Sequence, residues 1–169
     1  MDVASLEAVI DAMNRAGVVY VVAGGVAVIA HGYARTTTDL DLIIALDSEN
    51  CLLAMKALEA LGYRPRAPVR PADFADPDQR RHWIEEKGMI VFQLTSDRLP
   101  QCPIDIFVRE PFDVKMEAAH AADFEISSGI KAPVLRLERL LELKAAAARA
   151  TDLDDIAKLE RIRKLRGRR

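Results

Sequence analysis

Apolar residues recur at helical spacing from the start of the chain, at Val3, Leu6, Val9, Ile10 and Met13, and Gly17 follows as a stop. That spacing predicts an amphipathic helix over residues 3–16. The run Val18, Val19, Tyr20, Val21, Val22 is continuous and rich in β-branched residues, the pattern of a strand covered on both faces, and it ends at Gly24-Gly25. A short helix over about 26–30 should close at His31-Gly32, with Gly32 supplying the left-handed residue. Leu40, Ile43, Ile44 and Leu46 predict a second strand that carries Asp39 and Asp41. A helix over 48–61, ended by Gly62, follows.

Residues 64–78 hold Pro65, Pro68, Pro71 and Pro77 and read as a long loop, a candidate substrate-facing element. Trp83 and Ile84, with Met89 to Leu94 beyond Gly88, suggest a hairpin. Ile104 to Val108, launched by Pro103, is a third core strand. Residues 113–122 read as helix, and Phe124 to Ile126 and Ile130 to Val134 as short extended pieces around Gly129. Leu135 to Ala150, rich in Leu, Ala, Lys and Glu, predicts a strong helix. Thr151-Asp152 interrupts it, and a last helix runs to about Leu165. Helices alternating with strands predict an α+β fold, an α/β sandwich with a mixed sheet. At 169 residues, half of them apolar, the chain is sized for one domain. Its core would span about 3–134, its C-terminal helices about 135–165 and its basic tail 166–169.

Charge narrows the partners. The formal net charge is -2, so no overall field attracts nucleic acid or an anionic membrane. One local basic patch exists, at Lys158, Arg161, Arg163, Lys164, Arg166, Arg168 and Arg169; it is either a solvated helix end or a contact for a phosphate backbone. Cys51 and Cys102 lack a second Cys or a His at metal-ligand spacing and read as buried thiols. The chain opens on the polar amphipathic run MDVASLEAVIDAMNRAG and holds no apolar stretch of membrane-spanning length, which predicts a cytoplasmic protein with no membrane partner.

The chemistry concentrates in Thr38-Asp39-Leu40-Asp41-Leu42. Two carboxylates two residues apart on a strand project from the same face. Their repulsion raises one pKa and costs stability, unless a hard dication such as Mg²⁺ sits between them. Asp105, flanked by Ile104 and Ile106, is a third carboxylate on an apolar strand and also needs a partner. If the two strands are neighbours, the three acids form one metal-binding cluster suited to displacement at phosphorus. Each piece has an ordinary alternative: a salt-bridged pair, an aspartate satisfied by backbone amides, a tight turn at Gly24-Gly25. Their combination is what points to phosphate chemistry, since a Gly pair between strand and helix also lets backbone approach a phosphate closely.

The stretch AGGVAVIAHGYARTTTDLDLII, residues 23–44, resembles the nucleotidyltransferase superfamily that includes DNA polymerase beta. More narrowly, Gly24-Gly25-Val26-Ala27, His31-Gly32, Arg35, Thr37 and Asp39-Leu40-Asp41 are similar to a branch containing abortive-infection toxins. Lys144, Arg149, Asp152 and Asp155-Ile156 look like the lysine helix and Asp-led helix of that branch. The resemblance implies that Asp39, Asp41 and Asp105 hold Mg²⁺ or Mn²⁺, with Asp105 helping to activate the acceptor. Gly24, Gly25 and Arg35 would hold the triphosphate, Lys144 would reach a phosphate, and Asp152 would position Lys144 or the acceptor. Ser is common in the superfamily at the second position of the Gly pair; Gly25 leaves the grip to backbone amides and cations. His31 reads as a helix-end residue bonded to backbone, and Thr37 and Thr38 as strand-entry residues.

The implied activity transfers a nucleoside monophosphate from a nucleoside triphosphate to an acceptor, with release of pyrophosphate. The narrow resemblance favours tRNA or a protein as acceptor, in a toxin-like role with a cognate partner protein. Two alternatives stand beside it: an antibiotic-modifying adenylyltransferase acting on a small molecule, and a catalytically silent binding module of antitoxin type.

Overall fold

The computed structural model describes residues 1–127 and 129–166. Its elements run in chain order as α1 (Val3–Arg15), β1 (Tyr20–Val22), α2 (Gly24–Ala30), β2 (Leu40–Ile44), α3 (Ser48–Ala60), β3 (Tyr63–Pro65), a 3-10 helix (Pro71–Ala75), α4 (Pro77–Lys87), β4 (Val91–Ser96), β5 (Ile104–Phe107), α5 (Val114–Ala119), β6 (Ala122–Ser127), β7 (Ile130–Val134), α6 (Leu137–Ala147) and α7 (Ala150–Arg166). The strands form one mixed sheet in the order β3-β4-β5-β2-β1-β7-β6. β2 runs parallel to β5 and β1 parallel to β7, while the other neighbours are antiparallel. This is the α+β architecture that the alternation predicts, with α6 and α7 packed together as the C-terminal helical pair.

Buried side chains explain the layering. Leu40, Leu42, Ile104, Ile106, Phe92 and Leu94 are all within 1% of complete burial. Phe92 stacks on Trp83 of α4 at 5.3 Å between ring centroids and meets Phe74 of the 3-10 helix at 4.9 Å. One face of β4 and β5 therefore lies under α4 and the 3-10 helix, and the 3-10 helix in turn packs with α3. Alternation sends the intervening residues, Gln93 and Asp105 among them, to the opposite face.

Residues 64–78 are not the open loop that the prolines suggest. Tyr63–Pro65 pairs with β4 as an edge strand, where Pro65 is tolerated because the outer side needs no donor. Phe74 of the 3-10 helix is fully buried, so this part is core and not a lid. Trp83 and Ile84 lie in a helix, not a hairpin: Asp76 caps it, Pro77 opens it, and Gly88 closes it at φ 60. α2 begins at the Gly pair itself, two residues earlier than expected. The break between the last two helices falls at Ala148, left-handed at φ 49, rather than at Thr151-Asp152, which lie inside the first turn of α7. Gly167, Arg168 and Arg169 of the basic tail lie outside the described residues. No helix among the described residues is long and apolar enough to cross a membrane.

The antiparallel β1–β2 pair that carries Asp41 is tied to α3 by one buried amide. Asn50 Oδ1 accepts from Val19 N at 2.7 Å, and Nδ2 donates to Val19 O at 3.0 Å and Ala45 O at 2.8 Å. Asn50→Ala removes the partner of Val19 N and the amide donor to Ala45 O in a site 5% exposed, while Val19 O keeps its bond from Ala45 N. We expect urea unfolding to show a loss of about 3 kcal/mol; a loss below roughly 1 kcal/mol would show that water replaces the amide.

Candidate functional site

The parallel register of β2 and β5 sets Asp41 directly opposite Asp105, with Leu40 opposite Ile104 and Leu42 opposite Ile106. The leucines and isoleucines bury on one face, so both carboxylates emerge on the other. Asp39 precedes β2 by one residue and lines the same cavity. Burial, followed by the charges of Asp39 and Asp105, pushes the Asp41 carboxyl up to about 6. Asp105 is also raised, first by burial; a hydrogen bond from Gln93 and the charge of Arg66 work in the other direction.

Both glycines of the pair are explained by what lies over them. Gly24 has φ +57, and a Cβ there would sit 1.7 Å from Asp41 Oδ2; a Cβ on Gly25 would sit 2.4 Å from Thr37 Oγ1. The pair makes room for a carboxylate and a hydroxyl rather than simply forming a turn. Thr37 thus fills the space that a serine side chain at position 25 would need. Its hydroxyl also lies 3.2 Å from Asp39 Oδ1 and 3.3 Å from Asp39 O.

A second ionic cluster faces the carboxylates. Lys144 of α6 is 6% exposed, and its ammonium lies 3.1 Å from Asp152 Oδ1 and 2.8 Å from Asp155 Oδ2. Arg149, at the helix break, holds Asp152 Oδ2 at 2.7 Å, and Arg35 holds Asp155 Oδ2 at 2.5 Å. Burial alone would raise the Asp152 carboxyl, but hydrogen bonds from Arg149 and Lys144 outweigh it and leave it below its ordinary value. Gly24, Gly25, Arg35, Thr37, Asp39, Asp41, Asp105, Lys144, Arg149 and Asp152 all line one cavity of about 780 Å³. The structure therefore brings together every residue that the sequence singled out for the site.

Three residues carry more than the sequence suggested: Thr37, which reads as strand entry; Arg149, which stands most open of the cations; and Asp155, which braces both Lys144 and Arg35. Asp155 belongs to the Asp-led helix of the resemblance and lies three residues after Asp152, on the same helix face, but the resemblance assigns it no role. Arg35 pairs with Asp155 rather than with Asp39 or Asp41. His31 Nε2 lies 2.8 Å from Leu135 O, a tie between α2 and the start of α6, and is no part of the cavity.

Among the described residues, no three acidic, His or Cys side chains close into a ready-made metal cage. The donor chemistry still suits a hard dication. Asp39, Asp41 and Asp105 offer oxygen ligands only, and Mg²⁺ commonly takes one or two carboxylates and completes its shell with water and substrate phosphates. The cavity and its backing set three cations, Arg35, Lys144 and Arg149, against five carboxylates, so a polyanion entering it needs added positive charge.

No protein-family model matches the chain, and no curated protein sequence does. Solved structures do. A lincomycin-bound lincosamide antibiotic adenylyltransferase, LnuA, aligns with TM-score 0.61 at 18% identity, over 94% of this chain and 96% of that one. The antibiotic-resistance factor ANT(2'')-Ia aligns in solution with TM-score 0.58 at 15% identity, over 98% and 91%. Its complex with adenylyl-2''-tobramycin aligns with TM-score 0.53 at 17% identity, over 98% and 97%. The chain has the nucleotidyltransferase fold.

Two measurements test this geometry. Asp41 has a folded pKa above its unfolded value, so without metal the folded state binds the extra proton and stability falls as pH rises from about 4 through 6. Asp41→Asn in EDTA should raise the melting temperature at pH 8, by up to about 3 kcal/mol of stability, and by no more than about 1 kcal/mol at pH 4.5, where the unfolded carboxyl is still largely ionised. An equal gain at both would mean that charge is not the cause. Gly25→Ala should destabilise the protein by about 2 kcal/mol, and by much less in a Thr37→Gly background, which removes both the hydroxyl and the Cβ that the new methyl would meet; additive losses in that cycle would disprove the contact.

Proposed function

We propose that the protein transfers a nucleoside monophosphate from a nucleoside triphosphate to an acceptor hydroxyl and releases pyrophosphate. The observation that carries the reading is one cavity with three coupled carboxylates on its sheet wall and Lys144 and Arg149 on its helix wall. In this reading the triphosphate lies between the Gly24-Gly25 backbone and the two cations, with the Thr37 hydroxyl beside it. Asp152 and Asp155 hold Lys144 from behind, which fixes its direction at no cost in freedom when substrate arrives. The acceptor oxygen attacks the α-phosphorus, the bond from that phosphorus to the bridging oxygen breaks, and pyrophosphate leaves. Asp105, raised by burial, takes the acceptor proton. Mg²⁺ or Mn²⁺ held by Asp39, Asp41 and Asp105 would supply the positive charge that carboxylates and phosphates share.

A small-molecule acceptor fits this chain better than tRNA or protein. The neighbouring folds belong to adenylyltransferases of antibiotics, and they match nearly the whole of this chain. The macromolecular reading rests on the basic end of α7. Arg166 lies 14 residues beyond Asp152, about 20 Å along the helix, so those charges sit away from the cavity. A cognate partner protein belongs to that second reading.

Calorimetry with each nucleoside triphosphate should show binding only when Mg²⁺ or Mn²⁺ is present. Asp39→Asn with Asp41→Asn should abolish it, and single Asp41→Asn should lower turnover at least a hundredfold, about 3 kcal/mol in the barrier. Metal-independent binding, or none, would sink the reading and favour a silent module.

A further inference from the structure

The nucleotide cavity has a neighbour. A second cavity of about 500 Å³ is lined by Arg66, Met89, Ile90, Val91 and Gln93, and it shares Ile90 and Val91 with the first. Cross-strand register explains its position. Gln93 is opposite Asp105, and Arg66 N donates to Gln93 O at 2.9 Å, so Asp41, Asp105, Gln93 and Arg66 form one row across four neighbouring chain segments on the face away from α4. The row runs outward from the carboxylates on the side opposite Lys144 and Arg149.

Helices cover the other face of β4 and leave this one open. Gln93 and Arg66 are exposed while Phe92 and Leu94 are buried, and Ile90, at 71% exposure, is the most exposed large apolar residue described. The wall is apolar except for Gln93 and the Arg66 guanidinium, which forms no ion pair among the described residues. No carboxylate lines this cavity. A polycation would meet the like charge of Arg66 there, with the nearest counter-charge, Asp105, beyond Gln93.

Resting on the transfer reading above, we propose that this second cavity is the acceptor site and that it takes a small hydroxyl-bearing molecule with an apolar body and an anionic group. The apolar body lies on Ile90 and Val91. Arg66 holds the anionic group and Gln93 accepts or donates one further hydrogen bond, which leaves the hydroxyl at Asp105. The cavity is an open groove whose volume falls within the range of small-molecule sites. The charge of Arg66 lets this fold reject polycationic acceptors by repulsion.

The test incubates the full chain with Mg²⁺, ATP labelled at the α-phosphate and the low-molecular-weight fraction of a cell extract. Transferred label resists phosphatase because its phosphorus is linked on both sides, whereas label in ATP and AMP does not. We expect resistant label that binds an anion exchanger more tightly than the adenylate of a neutral alcohol, whose phosphodiester carries a single negative charge, and that forms at least tenfold more slowly with Arg66→Glu at subsaturating extract, with partial recovery in Arg66→Lys. Calorimetry with MgATP shows that each variant is folded. A product held by a cation exchanger overturns the inference, as does an unchanged rate in Arg66→Glu, or MgATP binding with label only in macromolecules or nowhere. Failure of the wild-type chain to bind MgATP instead removes the transfer reading on which the inference rests.

Discussion

Asp41 stands opposite Asp105 on neighbouring parallel strands, with Asp39 two residues before it, and no cation among the described residues forms an ion pair with any of the three. Like charges held this close in a half-buried site destabilise the fold, and every nearby device answers to that fact. The sheet beneath is dense with fully buried Leu and Ile, which is what keeps the strands from moving apart. The Gly pair removes two side chains so that Asp41 and Thr37 can keep their places. The cost at Asp41 is therefore carried by the core below it, a distribution typical of sites that keep charge for a purpose.

The second cluster solves the opposite problem. Lys144 is almost fully buried, and an ammonium there needs partners to replace the water it loses. Asp152 and Asp155 supply them from one face of α7, and Arg149 and Arg35 balance those acids in turn. α6 and α7 are thus joined by ions as well as by packing. The left-handed Ala148 between them sets the angle that lets α7 return its acids to the α6 lysine.

The site was legible where one short stretch carried it. Asp39 and Asp41 lie two apart, so their common face follows from strand geometry alone. The approach of Asp105 depends on a parallel pairing between distant segments, and spacing left it conditional. α4 went unseen because it offers Trp83 and Ile84 against nine other residues that are polar, charged or proline, so no apolar stripe marks it; only its caps did. The helix break was misplaced because Ala148 adopts a conformation usually left to Gly. Thr37 belongs to the motif, but its contact with Gly25 could not be read from sequence, since that lies in how close the two come in space.

β4 separates two kinds of selection by residue parity. Phe92, Leu94 and Ser96 face inward and are buried, while Gln93 and Thr95 face out and are exposed. Inward substitutions disturb the packing with Trp83 and Phe74; outward ones alter the surface beside Asp105 and leave that packing alone. Tolerance along this strand should alternate with a period of two. A lineage bearing this strand can therefore change the molecule it recognises in single steps, without a stability-compensating change for each one.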